Sequence, residues 1–133
     1  MALYSEIITS YSKNPPNRFE MEDFSVRYNE ESRLCGDTIE IFLKIENGII
    51  KDYSFIGNTS IITTACASIF GESIIDLDIS EVLDFDLNHI KSLVGEISPR
   101  RKYAATLGLL ATHNAIHSYL KDGIIEDFTD VIR

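Results

Sequence analysis

Arg33-Leu34-Cys35-Gly36-Asp37 sets a thiol and a carboxylate on either side of a glycine, at the mouth of a long alternating apolar segment. Thiolate and carboxylate together are metal-ligand chemistry, and Gly36 lets the backbone turn tightly enough to bring both side chains to one place. Taken alone, the tripeptide reads more readily as a buried structural thiol beside a turn than as a ligand pair. The second thiol, Cys66, lies in a small, apolar stretch about 9 Å along a helix axis from Ser60, and reads as core. His113 and His117 stand four apart, which is metal-ligand spacing on a helix. Even the nearer, His113, is about 13–14 Å from the start of that helix near Ala104, too far to complete a site at Cys35, and both read as surface or packing residues. His89 falls among short middle helices and carries no signal. No histidine can be placed beside Cys35, so a cysteine-nucleophile enzyme lacks its base and the chain reads as a non-enzyme.

The elements that must position these groups are legible from periodicity. Leu3 to Ser12 has apolar residues at helical spacing, and Asn14-Pro15-Pro16-Asn17 ends that helix. A first strand is expected near Phe24 to Asn29. Thr38 to Glu46 is the clearest strand: Ile39, Ile41, Leu43 and Ile45 form a dry face, and Glu40, Phe42 and Lys44 a mixed one. Asn47-Gly48 is a strong hairpin turn, because both residues tolerate positive φ. The return strand runs from about Ile49 to Ile56 and stops at Gly57-Asn58. Antiparallel pairing then brings the residues after this strand beside the start of the middle one, which makes Ser60 a neighbour of Cys35.

The pattern after the sheet is helical. Ser60 to Phe70 suits a buried helix ending at Gly71. One or two short helices span Ile79 to Val94, with Ser80 and Asp86 as caps. Ser98-Pro99 opens the longest helix, Arg100 to Lys121, closed by Gly123, and a last short helix is expected over Ile124 to Ile132. The expected fold is α+β: a three-stranded antiparallel meander with helices packed on one face, all within a single domain over residues 1–133.

Composition bounds the function. The chain has 133 residues, 44% of them hydrophobic, and a net charge of −9. That charge, without a basic stripe, argues against nucleic acid, and no apolar run approaches a membrane span. The N-terminal stretch has neither signal-peptide nor transit-peptide character. Two cysteines at unrelated spacings fit a reducing compartment, the cytoplasm, better than a disulfide framework.

Five segments in order then resemble the NifU-like, IscU-type iron–sulfur cluster assembly scaffolds over nearly the whole chain. Tyr4-Ser5-Glu6 through Asn14-Pro15 and Asn17 is similar to the family's N-terminal helix and its exit. Cys35-Gly36-Asp37 matches the first ligand cysteine and its companion aspartate. Glu46-Asn47-Gly48-Ile49-Ile50-Lys51-Asp52 with Phe55 is similar to its hairpin. Ser60 to Ser68 is similar to the small-residue helix after the second cysteine. Pro99-Arg100-Arg101-Lys102 resembles the segment that recruits an Hsp70-type chaperone. The short distance from Ser60 to the third ligand position is closer to the IscU or NifU type than to the SufU type with its inserted segment.

The departures are as informative. The resemblance implies three ligand cysteines, but Ser60 stands at the second position and Ala104 at the third; Tyr103 stands where a histidine often precedes the third. Cys35 and Asp37 alone remain as metal ligands. Clusters are held mostly by thiolates, four ligands to a cluster, so one thiolate and one carboxylate cannot hold one within a single chain. Two functions follow. In the first, the protein is scaffold-like: Cys35 and Asp37 bind iron or zinc, or a labile cluster completed by a partner or a second copy, or Cys35 accepts sulfur from a cysteine desulfurase. In the second it binds no metal, and is an interaction module that binds the desulfurase or the chaperone and modulates an authentic scaffold.

Overall fold

The computed structural model describes residues 5–132, so Leu3 and Tyr4 of the expected first helix lie outside the described residues. Three strands, β1 (Val26–Glu31), β2 (Thr38–Glu46) and β3 (Ile49–Asn58), form an antiparallel sheet in the order β1-β2-β3. This is the expected meander. Asn47 and Gly48 adopt positive φ at the hairpin turn (53° and 75°). Ile39, Ile41, Leu43 and Ile45 are buried on the face covered by helices α2 (Ile61–Ser73) and α5 (Lys102–Leu120). Burial of such side chains, each contributing about 1.5–3 kcal/mol, is what holds two helices to one sheet face.

The second face is less open than its sequence implies. Phe42 is fully buried, with Phe24 tilted against it at 5.7 Å between ring centroids. The Arg27 guanidinium lies over both rings and pairs with Glu40 at 2.8 Å, so the charged residue covers the apolar one. A strand with a single dry face by alternation thus buries a residue on each side.

α2 continues past Gly71 to Ser73, because that glycine is needed inside the helix rather than at its end. A Cβ there would sit 2.0 Å from the ring of Tyr53, whose hydroxyl donates to the carbonyl of Ala67 at 2.8 Å. Helix α1 (Glu6–Lys13) packs on α2. Its exit is pinned by Asn17, whose amide donates to the Ser68 carbonyl and accepts from the Ser68 hydroxyl, while its carbonyl accepts from the Phe55 amide.

The middle helices are α3 (Ile79–Val82) and α4 (Leu87–Val94). Asp86 caps α4 as expected, but α3 is capped by Asp78 instead of Ser80, which donates both its amide and its hydroxyl to Asp78. A carboxylate is the better acceptor for free first-turn amides. A 3-10 turn, Pro99–Arg101, leads into α5. That helix ends at Lys121, itself left-handed with φ 55°, two residues before the glycine expected to close it. Among the described residues of the terminal segment only Phe128–Val131 is helical, as α6, because residues 122–127 are held by side-chain contacts to α5. Among the described residues no helix is long and apolar enough to cross a membrane.

Candidate functional site

The loop from β1 to β2 is a tight turn built on Ser32. Its hydroxyl accepts from the amides of Leu34 and Cys35, its carbonyl accepts from Gly36, and its amide donates to the Asp37 carbonyl. Gly36 supplies the positive φ of 75°. Cys35 is thereby held half-buried against the edge of the core, beside Leu34, which is 66% exposed.

Asp37 points the other way, into the structure, and is 6% exposed. Thr38 pairs with Asn58, and a Cβ on Gly57 would meet the Thr38 carbonyl at 2.2 Å, so the start of β2 and the end of β3 run in close contact. That contact delivers Ser60 to Asp37: the Ser60 hydroxyl donates at 2.9 Å and its amide at 3.3 Å. The Thr63 hydroxyl donates to the same carboxylate. The first turn of α2 has no acidic residue of its own, so Asp37 supplies, from another element, the negative charge a helix N-terminus favours.

Ala104 is half-buried in the first turn of α5, one turn before Gly108. A Cβ on Gly108 would lie 2.9 Å from Ala67 of α2 and 3.8 Å from Ile39 of β2, so this part of α5 is packed onto the other two segments. Pro99 and Arg100 are exposed at its start, while Arg101 and Lys102 are half-buried, the Lys102 ammonium lying over the Tyr103 ring. Cys66 is 2% exposed, and burial pushes its thiol up to about 12, so it is inert at neutral pH.

The histidines make a second cluster over the C-terminal half of α5. His113 is buried; Nδ1 faces Glu126 Oε1 and Nε2 faces the Val82 carbonyl, both at 2.9 Å. His117 lies between Asp122, 2.7 Å from Nδ1, and Glu126, 2.6 Å from Nε2. Burial pulls His117 down, but hydrogen bonds to Asp122 and Glu126 and their charges outweigh it and hold the ring above its ordinary pKa. Glu126 is pushed up by burial and pulled down further by the two imidazoles, for a net fall. Asn114 completes the cluster, bonding the Glu126 backbone in both directions and Glu30 of β1. His89 is separate: it stacks on Phe85 at 3.7 Å, contacts Ser73 at 3.0 Å, and burial lowers it despite Asp86.

Thr63, Ser32, Glu126 and Asn114 escaped the sequence reading. A hydroxyl three residues after a serine at a helix start was a usable signal for Thr63. Glu126 had none, since it is reached through an irregular segment.

The donor set does not fit a metal or cluster held by this chain alone. The rim formed by the β1–β2 turn and the start of α2 offers one thiol, one carboxylate already accepting three hydrogen bonds, and an alcohol. Ala104, at the third ligand position that the resemblance implies, could add only a methyl group. Among the described residues no group of three or more His, Cys, Asp or Glu is placed to hold a metal ion.

The fold and rim define a class, and the comparisons name it. The chain belongs to the family of NifU-like N-terminal domains, whose model matches residues 3–124. It is 35% identical over 80 residues to the iron–sulfur cluster assembly scaffold protein IscU of Thermotoga maritima, covering 60% of this chain and 56% of that protein. It is 32% identical over 81 residues to the zinc-dependent sulfurtransferase SufU of Bacillus subtilis, covering 61% and 54%. The chain thus aligns with little more than half the length of these two relatives. Among solved structures, a nitrogen-fixing NifU-like protein (N-terminal) from Brucella abortus superposes with a TM-score of 0.72 at 16% identity, over 90% of this chain and 95% of that one. FiSufU of Fervidobacterium islandicum AW-1 gives 0.74 at 22% identity, over 85% and 96%. These two share the fold.

Proposed function

We propose that the chain serves iron–sulfur cluster assembly as a scaffold-type protein in the cytoplasm, carrying cargo rather than turning over a substrate. Cys35 is the atom that handles the cargo. Its thiolate attacks the outer sulfur of a persulfide on a cysteine desulfurase; the new S–S bond forms as the old one breaks, and the donor leaves as thiolate. No external oxidant is required, since the sulfur keeps its oxidation state. Alternatively Cys35 makes one bond to iron or zinc while a partner or second copy supplies the other donors, and Asp37 joins it only by releasing Ser60 and Thr63. Pro99, Arg100, Arg101 and Lys102 are the proposed contact for an Hsp70-type chaperone.

The observation carrying this reading is the half-buried Cys35 on its Ser32-built turn, a turn whose Asp37 is bonded to the start of α2. Two relatives named for scaffold and sulfurtransferase functions support it. The test is incubation with a cysteine desulfurase and free cysteine, followed by mass analysis. The expected product carries one added sulfur atom on the Cys35 peptide and none in Cys35→Ser. An unmodified Cys35, with iron and sulfide content unchanged by Cys35→Ala, would remove the reading. A metal-free interaction module is favoured by the three donors already on Asp37; its signature is desulfurase binding that survives Cys35→Ala.

A further inference from the structure

We infer that the Asp37–Ser60–Thr63 cluster is a hydrogen-bonded clamp that ties the start of β2 to the start of α2 without metal, and that it keeps metal off this rim in the isolated chain. A metal bridging positions 35, 37 and 60 would join the same two segments. Here the carboxylate joins them, accepting from both hydroxyls and from the Ser60 amide while nearly fully buried.

Three further features support a dedicated clamp. The Ser60 side chain, at the cap position of α2, makes no bond to its own helix's amides and is turned toward Asp37 instead. No acid in the first turn of α2 competes with Asp37 for that place. The adjacent hydroxyls of Thr59 and Thr64 bond each other at 2.6 Å, fixing the start of α2 that presents Ser60 and Thr63 to Asp37. A cation entering would have to displace two alcohol donors that stay protonated at neutral pH, and would find one thiolate in return.

The test is thermal unfolding of the full chain in chelator, in zinc chloride alone, and in ferrous iron under nitrogen. A metal held at about 100 times its dissociation constant raises the melting temperature of a chain this size by roughly 10 °C. The wild type is expected to melt within about 1 °C in all three media. Ser60→Cys, which exchanges the alcohol for a thiolate donor, is expected to gain a zinc-dependent, chelator-reversible rise. Thr63→Val is expected to lower the melting temperature equally with and without metal. Amide exchange at Ser32 and Thr64 in chelator should be slow in the wild type and faster in Thr63→Val.

A rise of several degrees in the wild type that vanishes in Cys35→Ala would overturn the inference. So would a Ser60→Cys chain indifferent to zinc, or unprotected Ser32 and Thr64 amides in chelator. A rise that persists in Cys35→Ala puts the metal elsewhere and leaves the rim as inferred. Sulfur uptake at Cys35 is read separately by mass, so either result can fail without the other.

Discussion

The rim at the start of α2 and the clasp over the C-terminal half of α5 both fasten an irregular segment to a helix, but with different materials. At the rim one carboxylate collects uncharged hydroxyls and an amide. At the clasp two imidazoles alternate with two carboxylates, so the contacts depend on protons being in place. The donors of the first arrangement are hydroxyls and an amide, which keep their protons near neutral pH; in the second, Asp122 and Glu126 hold the proton on His117. The chain therefore separates a rim kept in constant shape from a terminal segment whose attachment can be titrated.

The sharpest way to break this comparison is Glu126→Ala. It leaves His113 and His117 facing a void and is expected to destabilise the fold by about 3–5 kcal/mol in urea unfolding. A loss below about 1 kcal/mol would mean that the clasp is decorative. Next is Asp37→Asn, which removes the charge and replaces one acceptor oxygen with an NH2 donor that must face either the Ser60 amide or the two hydroxyls; about 2–3 kcal/mol is expected by the same measurement. Thr63→Val removes one donor and is expected to cost about 1 kcal/mol.

The smallest effect is the pH profile of the melting temperature. Folded His117 holds its proton more tightly than the unfolded chain does, so its contribution is complete below 6.5 and declines as pH rises through the folded value. His89 is depressed by burial, so its contribution is complete above 6.5 and declines on acidification. Stability should peak near pH 6.5, with His117→Gln flattening the alkaline side and His89→Gln the acid side. Thr63→Val removes no ionisable group and should lower the curve without reshaping it.

The sheet was readable because its signals are local: strict alternation in Thr38 to Glu46 and a turn pair whose backbone preferences are narrow. Antiparallel geometry also carried Ser60 toward the turn that bears Cys35, since register fixes which ends meet, but the partner it finds there is Asp37. Gly71 misled because a glycine marks either a helix end or a close approach, and the Tyr53 ring, eighteen positions earlier, decides between them. Phe42 misled for a similar reason: its cover comes from Phe24 and Arg27, outside its own alternation. The role of His113 and His117 depended on Glu126, brought back by a segment with no periodicity to read. At the rim, residue types singled out Cys35 and Asp37 as candidates, but whether that carboxylate faces solvent or a helix was a matter of packing.

The burial of Cys66 has a practical corollary. With that sulfur locked away in α2, any thiol-directed reagent applied to the native chain reports on a single address. A labelling stoichiometry of one therefore counts intact rims, and a climb toward two clocks the opening of the helix layer itself.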